Sequence, residues 1–224
     1  MAWRSLILCL LLAGCTSSIT LKNANIKVSE SANLGAPAVF FLDKVKAPIL
    51  TDKRIGKIRA IADGQWSWVR TDSDLSVWAE KEWENFMRRH GQTMVLDPGK
   101  SDYHVLCDIE KIYAEKFNEY LGAHKFASHV IMRVTIQRAS DGYSVYAKEL
   151  KESYAVTIPV EGLENAGDEA IYNHCLSAVF QKCLEKIRLP YFSSLNIHIN
   201  EEQKNRKRDH NRYRAGSGAP RGGR

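Results

Sequence analysis

Two runs of apolar–polar alternation in the middle of the chain, each interrupted once, at Leu106 and at Ile131, limit its fold more than any other feature. Tyr103, Val105, Cys107 and Ile109 alternate with His104, Asp108 and Glu110; Val130, Met132, Val134 and Ile136 alternate with Arg133, Thr135 and Gln137. A period of two puts all the apolar side chains of a run on one face of a strand. One dry face and one wet face is the usual condition of an antiparallel sheet, because parallel sheets are covered on both sides. Ser140-Asp141-Gly142 is a tight-turn sequence, so a third strand, Tyr143 to Val156, is expected to return against the second as a hairpin.

A dry sheet face needs a cover, and two helical patterns supply it. From Thr71 to His90, Leu75, Trp78, Ala79, Trp83, Phe86 and Met87 recur at helical spacing; Asp72, Ser73 or Asp74 can cap the start and Gly91 stops the end. From Gly167 to Leu189, Ile171, Cys175, Leu176, Val179, Cys183, Leu184 and Ile187 form a wide apolar stripe that Pro190 terminates. Pro37 to Val45 reads as a buried strand, and Arg54 to Ile61 reads as a half-buried one. Asp63-Gly64 turns the latter into Trp66-Ser67-Trp68-Val69, and Gln92 to Leu96 is short and extended. The expected fold class is α+β: a single domain, a mainly antiparallel sheet with two helices packed on one face.

Four regions follow along the chain. Residues 1–14 have Arg4, then the apolar run Leu6 to Leu12, then Ala13 and Gly14, as a secretory signal does. The run is too short to span a bilayer, which takes about 20 residues. Leu12-Ala13-Gly14-Cys15 resembles the lipobox of bacterial lipoproteins. The resemblance implies cleavage after Gly14 and acylation of Cys15, with palmitate and diacylglycerol as the anchor. Stable anchoring needs more than one acyl chain, since each buried methylene contributes only about 0.8 kcal/mol. Thr16, in place of Asp, implies export to the outer membrane, facing the periplasm. Residues 15–36 read as a flexible tether, with a short strand possible at Ile26 to Val28; residues 37–192 hold the domain, and residues 193–224 read as a disordered basic tail.

The net charge of +6 belongs to the ends. Glu201 to Arg224 carries eight Lys/Arg against three Asp/Glu, and Arg4 stands in the signal, which leaves residues 15–200 about neutral. Lys204, Arg206, Lys207, Arg208, Arg212 and Arg214 are the candidate contacts to an anionic lipid or envelope polymer, each worth about 1 kcal/mol near a charged surface. Nucleic acid is not the expected partner, because export removes the tail from it.

No motif for catalysis, metal or phosphate cofactor stands out: there is no His-Glu-x-x-His, Gly-x-Ser-x-Gly, glycine-rich phosphate loop or Cys-x-x-Cys. The expectation is no enzyme, no cofactor and no metal. His104, His124 and His129 are scattered histidines. Cys107, Cys175 and Cys183 read as buried thiols; Cys175 and Cys183 lie roughly 12 Å apart on one helix, beyond the reach of a disulfide, while Cys107 with either remains open. Trp66, Trp68, Trp78 and Trp83 are core residues or the lining of an apolar groove, and Arg54, Lys57 and Arg59 are a solvated strand face or a seat for an anionic headgroup.

The order of elements also has a resemblance. The lipobox, Ala38-Val39-Phe40-Phe41-Leu42-Asp43, Arg54-Ile55-Gly56, a Trp-rich helix ending Arg89-His90-Gly91, Ser101-Asp102-Tyr103-His104-Val105-Leu106 and paired strands resemble the YajG-like family of outer-membrane lipoproteins over roughly residues 36–160. Here the family's Asp-x-Arg is Asp43-Lys44-Val45, with the arginine displaced to Arg54, and Gly91-Gln92 replaces glycine with an aromatic. The PqiC-like auxiliary lipoproteins of lipid-transporting envelope complexes have a similar order. The anchor, the near-neutral domain and the missing catalytic set lead to the expectation of a lipid-anchored envelope lipoprotein, not an enzyme, that binds or scaffolds an envelope protein or lipid component; the second resemblance implies an alternative, an auxiliary lipoprotein of an envelope lipid-transport complex. An envelope-acting enzyme is the remaining alternative.

Overall fold

The computed structural model describes residues 17–24, 26, 37–59, 66–119 and 123–187. Its spine is a long antiparallel meander of three strands, β6 (Tyr103–Glu119), β7 (Ala123–Arg138) and β8 (Ser144–Pro159). The strands β6 and β7 run well beyond the alternating segments legible in the sequence, and β8 begins one residue after the expected Tyr143 and ends three after the expected Val156. Gly142 turns β7 into β8 at φ +69°, a left-handed conformation that glycine adopts without strain.

The other edge of β6 is forked. Its first half pairs with β2 (Val39–Lys46) from Phe40↔Tyr103 to Lys46↔Asp108, and its second half pairs with β3 (Arg54–Arg59) from Gly56↔Ala114 to Arg59↔Phe117. Both ladders are parallel. One wing continues from β2 to β5 (Thr93–Val95), again parallel; the other continues from β3 to an antiparallel β4 (Trp66–Thr71) and then a parallel β1 (Ser17–Ile19). The fold class is α+β in one domain, as expected, and the eight-stranded open sheet is antiparallel in its long β6–β7–β8 ladders and in the β3–β4 hairpin, and parallel elsewhere in its wings.

One face of the sheet is dry. Phe126, Val130, Met132, Val134 and Ile136 of β7 and Tyr103, Val105, Cys107 and Ile109 of β6 are all buried. Helix α1 (Leu75–Arg89) lies over the β2–β5 wing and buries Trp78, Trp83, Phe86 and Met87 in the same core. Asp74 caps it, its Oδ1 accepting from the amides of Ser76 at 2.8 Å and Val77 at 3.2 Å. Helix α2 (Val160–Leu184) starts seven residues ahead of the expected Gly167 and is broken there, at φ +67°. It ends at Leu184, short of the expected Leu189. Its stripe is as expected: Ile171, Cys175, Leu176, Val179, Cys183, Leu184 and Ile187 are buried. The three thiols are free and buried.

The outer strand β8 turns Tyr146, Leu150, Tyr154, Val156 and Ile158 toward the core, with a charged residue, Glu152, among them. Glu152 faces inward and meets Lys186 at 2.8 Å. Inward-pointing charge on an edge strand opposes pairing with another chain.

The expectation of a flexible tether from residue 15 to 36 is corrected at residues 17–24. Ser17–Ile19 is a strand of the sheet, and Ile19 and Leu21 are buried. The physical reason is a set of side-chain hydrogen bonds from distant elements, described next. The strand suggested at Ile26 to Val28 and the Asp63-Gly64 turn fall mostly or wholly outside the described residues.

Candidate functional site

Helix α2 is buried nearly all round, so it must satisfy polar residues on the face away from the sheet. Asn173, Ser177 and Gln181 stand at intervals of four, on one stripe, and all are buried. The N-terminal segment and α1 close over this stripe. Asn173 Oδ1 accepts from the Lys22 amide at 2.9 Å, and Asn173 Nδ2 donates to the Thr20 carbonyl at 3.0 Å. Ser177 Oγ accepts from the Ala24 amide at 3.1 Å and donates to Glu82 Oε1 at 2.7 Å.

Glu82 is the centre of this arrangement, a carboxylate only 1% exposed. Oε1 also accepts from Asn23 Nδ2 at 2.8 Å, and Oε2 accepts from Gln181 Nε2, which donates as well to the Glu82 carbonyl at 2.9 Å. A buried carboxylate is tolerable when its lone pairs are filled by donors. Beside it is a cavity of about 250 Å³ that Asn23, Asn85, Arg88 and Arg89 help to line. With three side chains donating to it, Glu82 fastens α1, α2 and the N-terminal segment together, and abstracting a proton would require breaking that set.

A second cluster lies on the wet face of the sheet, where β3, β4 and β6 meet. Register places Lys57 beside Glu115 and Trp68, and Arg59 beside Phe117 and Trp66. Lys57 Nζ sits 3.8 Å above the Trp66 ring and pairs with Glu115 at 3.0 Å. Arg54 stacks over Trp68 at 4.4 Å and pairs with Asp52 at 2.9 Å. Trp66 meets Phe117 edge-on at 5.6 Å and remains 39% exposed. Cations over aromatic faces hold both partners in place and leave an amphipathic surface. The four tryptophans thus divide: Trp78 and Trp83 are core, and Trp66 and Trp68 belong to this patch.

Further groups are structural in their contacts. Lys116 is a buried cation on the dry face, and both Asp168 oxygens accept from its Nζ at 2.7 Å. His124 is held below its ordinary pKa by burial and then by the Lys116 ammonium. His129 lies on the opposite face, with Nδ1 2.8 Å from Ser153 Oγ, and His104 stands at the other end of the sheet, paired in register with Gln137. The structure does not bring these histidines together, and no cluster of metal-ligating side chains occurs among the described residues. A groove of about 600 Å³ lies between α1 and the β2–β5 wing, where Phe41, Met94 and Leu96 meet Glu80 and Glu84. Cys15 and the basic residues Lys204, Arg206, Lys207, Arg208, Arg212 and Arg214 lie outside the described residues.

Comparison with protein-family models finds no match, and comparison with curated proteins finds none. Among solved structures, the chain is similar to a Xanthomonas campestris protein of family DUF330, with 13% identity over 85% of this chain and 99% of that one and a TM-score of 0.39. It is similar to uncharacterized lipoprotein B of Nitrosomonas europaea, with 14% identity over 78% and 97% of the two chains and a TM-score of 0.40. A minor lipoprotein of Acinetobacter baumannii shares 9% identity over 71% and 94%, with a TM-score of 0.34. Likeness at this level assigns no family, so function has to be argued from the chain's own residues.

Proposed function

We propose that the protein is a lipid-anchored cell-envelope lipoprotein, without catalytic activity, that binds or scaffolds an envelope protein or lipid component. Its place is the periplasmic side of the outer membrane. The carrying observation is the segment Leu12-Ala13-Gly14-Cys15 behind a short apolar run, with Ser17 already paired in the sheet two residues later. Cleavage after Gly14 would put the acylated cysteine directly against the fold. The element order that resembles the YajG-like lipoproteins supports the same reading, and Thr16 supports the outer membrane. The basic tail, from Lys204 to Arg214, is the proposed contact to anionic envelope polymer.

The test is mass analysis of the N-terminal peptide from detergent-extracted full-length protein. The expected result is a triacylated Cys15 in the outer-membrane fraction, with Cys15→Ser found unmodified and not retained there. An unmodified Cys15 thiol in the mature protein rejects the proposal. For the tail, removal of residues 201–224 should weaken salt-sensitive binding to lipopolysaccharide, and unchanged binding rejects that part.

A further inference from the structure

We infer that the wet-face patch of Arg54, Arg59, Trp66, Trp68 and Arg70 seats against the anionic phospholipid headgroups of the leaflet that holds the anchor. The inference rests on the acylation of Cys15 proposed above, and it adds which face of the domain meets the membrane.

Chain length carries the first part. Ser17 pairs with Val69, so β1 lies alongside the strand that bears Trp68 and Arg70. Ser17 is two positions along the chain from Cys15, a span of at most about 7 Å. A diacylated cysteine has its backbone at the membrane surface, and the headgroup layer on each side is itself about 5–7 Å deep. The strand β4, about 4.8 Å from β1, is therefore held within roughly 12 Å of the acylated backbone, where long Trp and Arg side chains reach the headgroup level.

Chemistry carries the second part. Arg54 and Arg70 are direct cross-strand partners, and the Nε of each is buried without a hydrogen-bond partner. Like charges directly opposite cost stability; Asp52 compensates Arg54 alone, and an anion bound at Arg70 offsets the rest. Arg59 is exposed, and neither Arg59 nor Arg70 enters an ion pair among the described residues. Trp66 keeps an exposed edge beside these cations. Tryptophan mixed with Lys and Arg is the composition of surfaces that sit at the headgroup level.

The experiment uses full-length lipidated protein in vesicles of brominated phosphatidylglycerol or brominated phosphatidylcholine, and reads flotation and tryptophan fluorescence together. Trp78 and Trp83, inside the core, give an unquenched background. The expected result is quenching in phosphatidylglycerol vesicles, lost for the most part in Trp66→Phe/Trp68→Phe and weakened in Arg59→Glu, whose thermal midpoint should match the parent. High salt and phosphatidylcholine should weaken it as well. Floating protein whose tryptophans are unquenched, or whose quenching ignores either the tryptophan or the charge substitution, overturns the inference and leaves the anchor intact. Protein that does not float overturns the anchor, and the seating with it.

Discussion

Ser177 Oγ donates to Glu82 Oε1 at 2.7 Å, and through that contact two helices and the N-terminal segment share one buried carboxylate. Replacing Glu82 with Ala would leave the Ser177 hydroxyl without its acceptor and take one of two acceptors each from Asn23, which keeps the Trp78 carbonyl, and Gln181, which keeps the residue 82 carbonyl. A stranded buried donor costs its desolvation. Glu82→Ala should lower unfolding stability by about 3 kcal/mol, read by urea denaturation. Amide hydrogen exchange at Leu21, Lys22 and Ala24 should quicken as the segment loosens. Unchanged exchange there would detach the segment from Glu82.

Gly56 approaches β6 so closely that a Cβ on it would lie 2.2 Å from the Ala114 carbonyl oxygen. That atom is backbone and cannot swing away. Gly56→Ala should therefore disrupt the β3–β6 ladder at a cost of about 3 kcal/mol, measured by denaturant unfolding. A variant as stable as the parent would contradict the pairing of Gly56 with Ala114.

Burial pushes the thiols of Cys107, Cys175 and Cys183 up to about 12. The thiolate is the reactive form, so none of the three should react with a thiol reagent until denaturant is added. These groups hold their protons in the fold above the ordinary 9.0 of the unfolded chain. Their contribution to stability is complete below pH 9 and falls as pH climbs from there toward 12. Titration of unfolding stability at alkaline pH checks the direction.

His124 behaves in the opposite sense. Burial first, then Lys116, keep it below its ordinary 6.5, while Asp168 pulls the other way. The unfolded chain takes up the proton at 6.5 and the folded chain resists it. Stability is thus intact above that pH and declines as pH falls below it, until the folded histidine protonates too. His124→Gln should flatten the stability profile in that window, and an identical profile would assign the decline to other groups.

The dry face was legible because β6 and β7 alternate over residues that are buried on one side only. The end of β6 was harder to read, because Lys116 puts a cation where the alternation calls for an apolar residue; Asp168, 52 residues away, is what makes it tolerable. The polar stripe of α2 was equally hidden. Asn173, Ser177 and Gln181 look like a solvent-facing edge until residues 20–24 are laid over them. That covering stretch reads as a linker, since it has only Ile19 and Leu21 to bury and takes its hydrogen bonds from residues more than fifty positions away. The cationic and aromatic residues of β3 and β4 were visible as a hairpin. The addition of Phe117 and Glu115 came from a parallel ladder that no local pattern announces.

The forked edge of β6 also sets an order of assembly. β6, β7 and β8 follow one another in the chain, so their ladders close over short stretches and can form early. Neither wing has a strand to join until β6 is in place, and within one wing β3 and β4 must be set before β1 has a partner. Of the eight strands, β1 is therefore the first to emerge during synthesis and the last to lock. A chain held at the membrane by its N-terminal end would complete its fold from the far side inward, with the strand nearest the lipid closing the sheet.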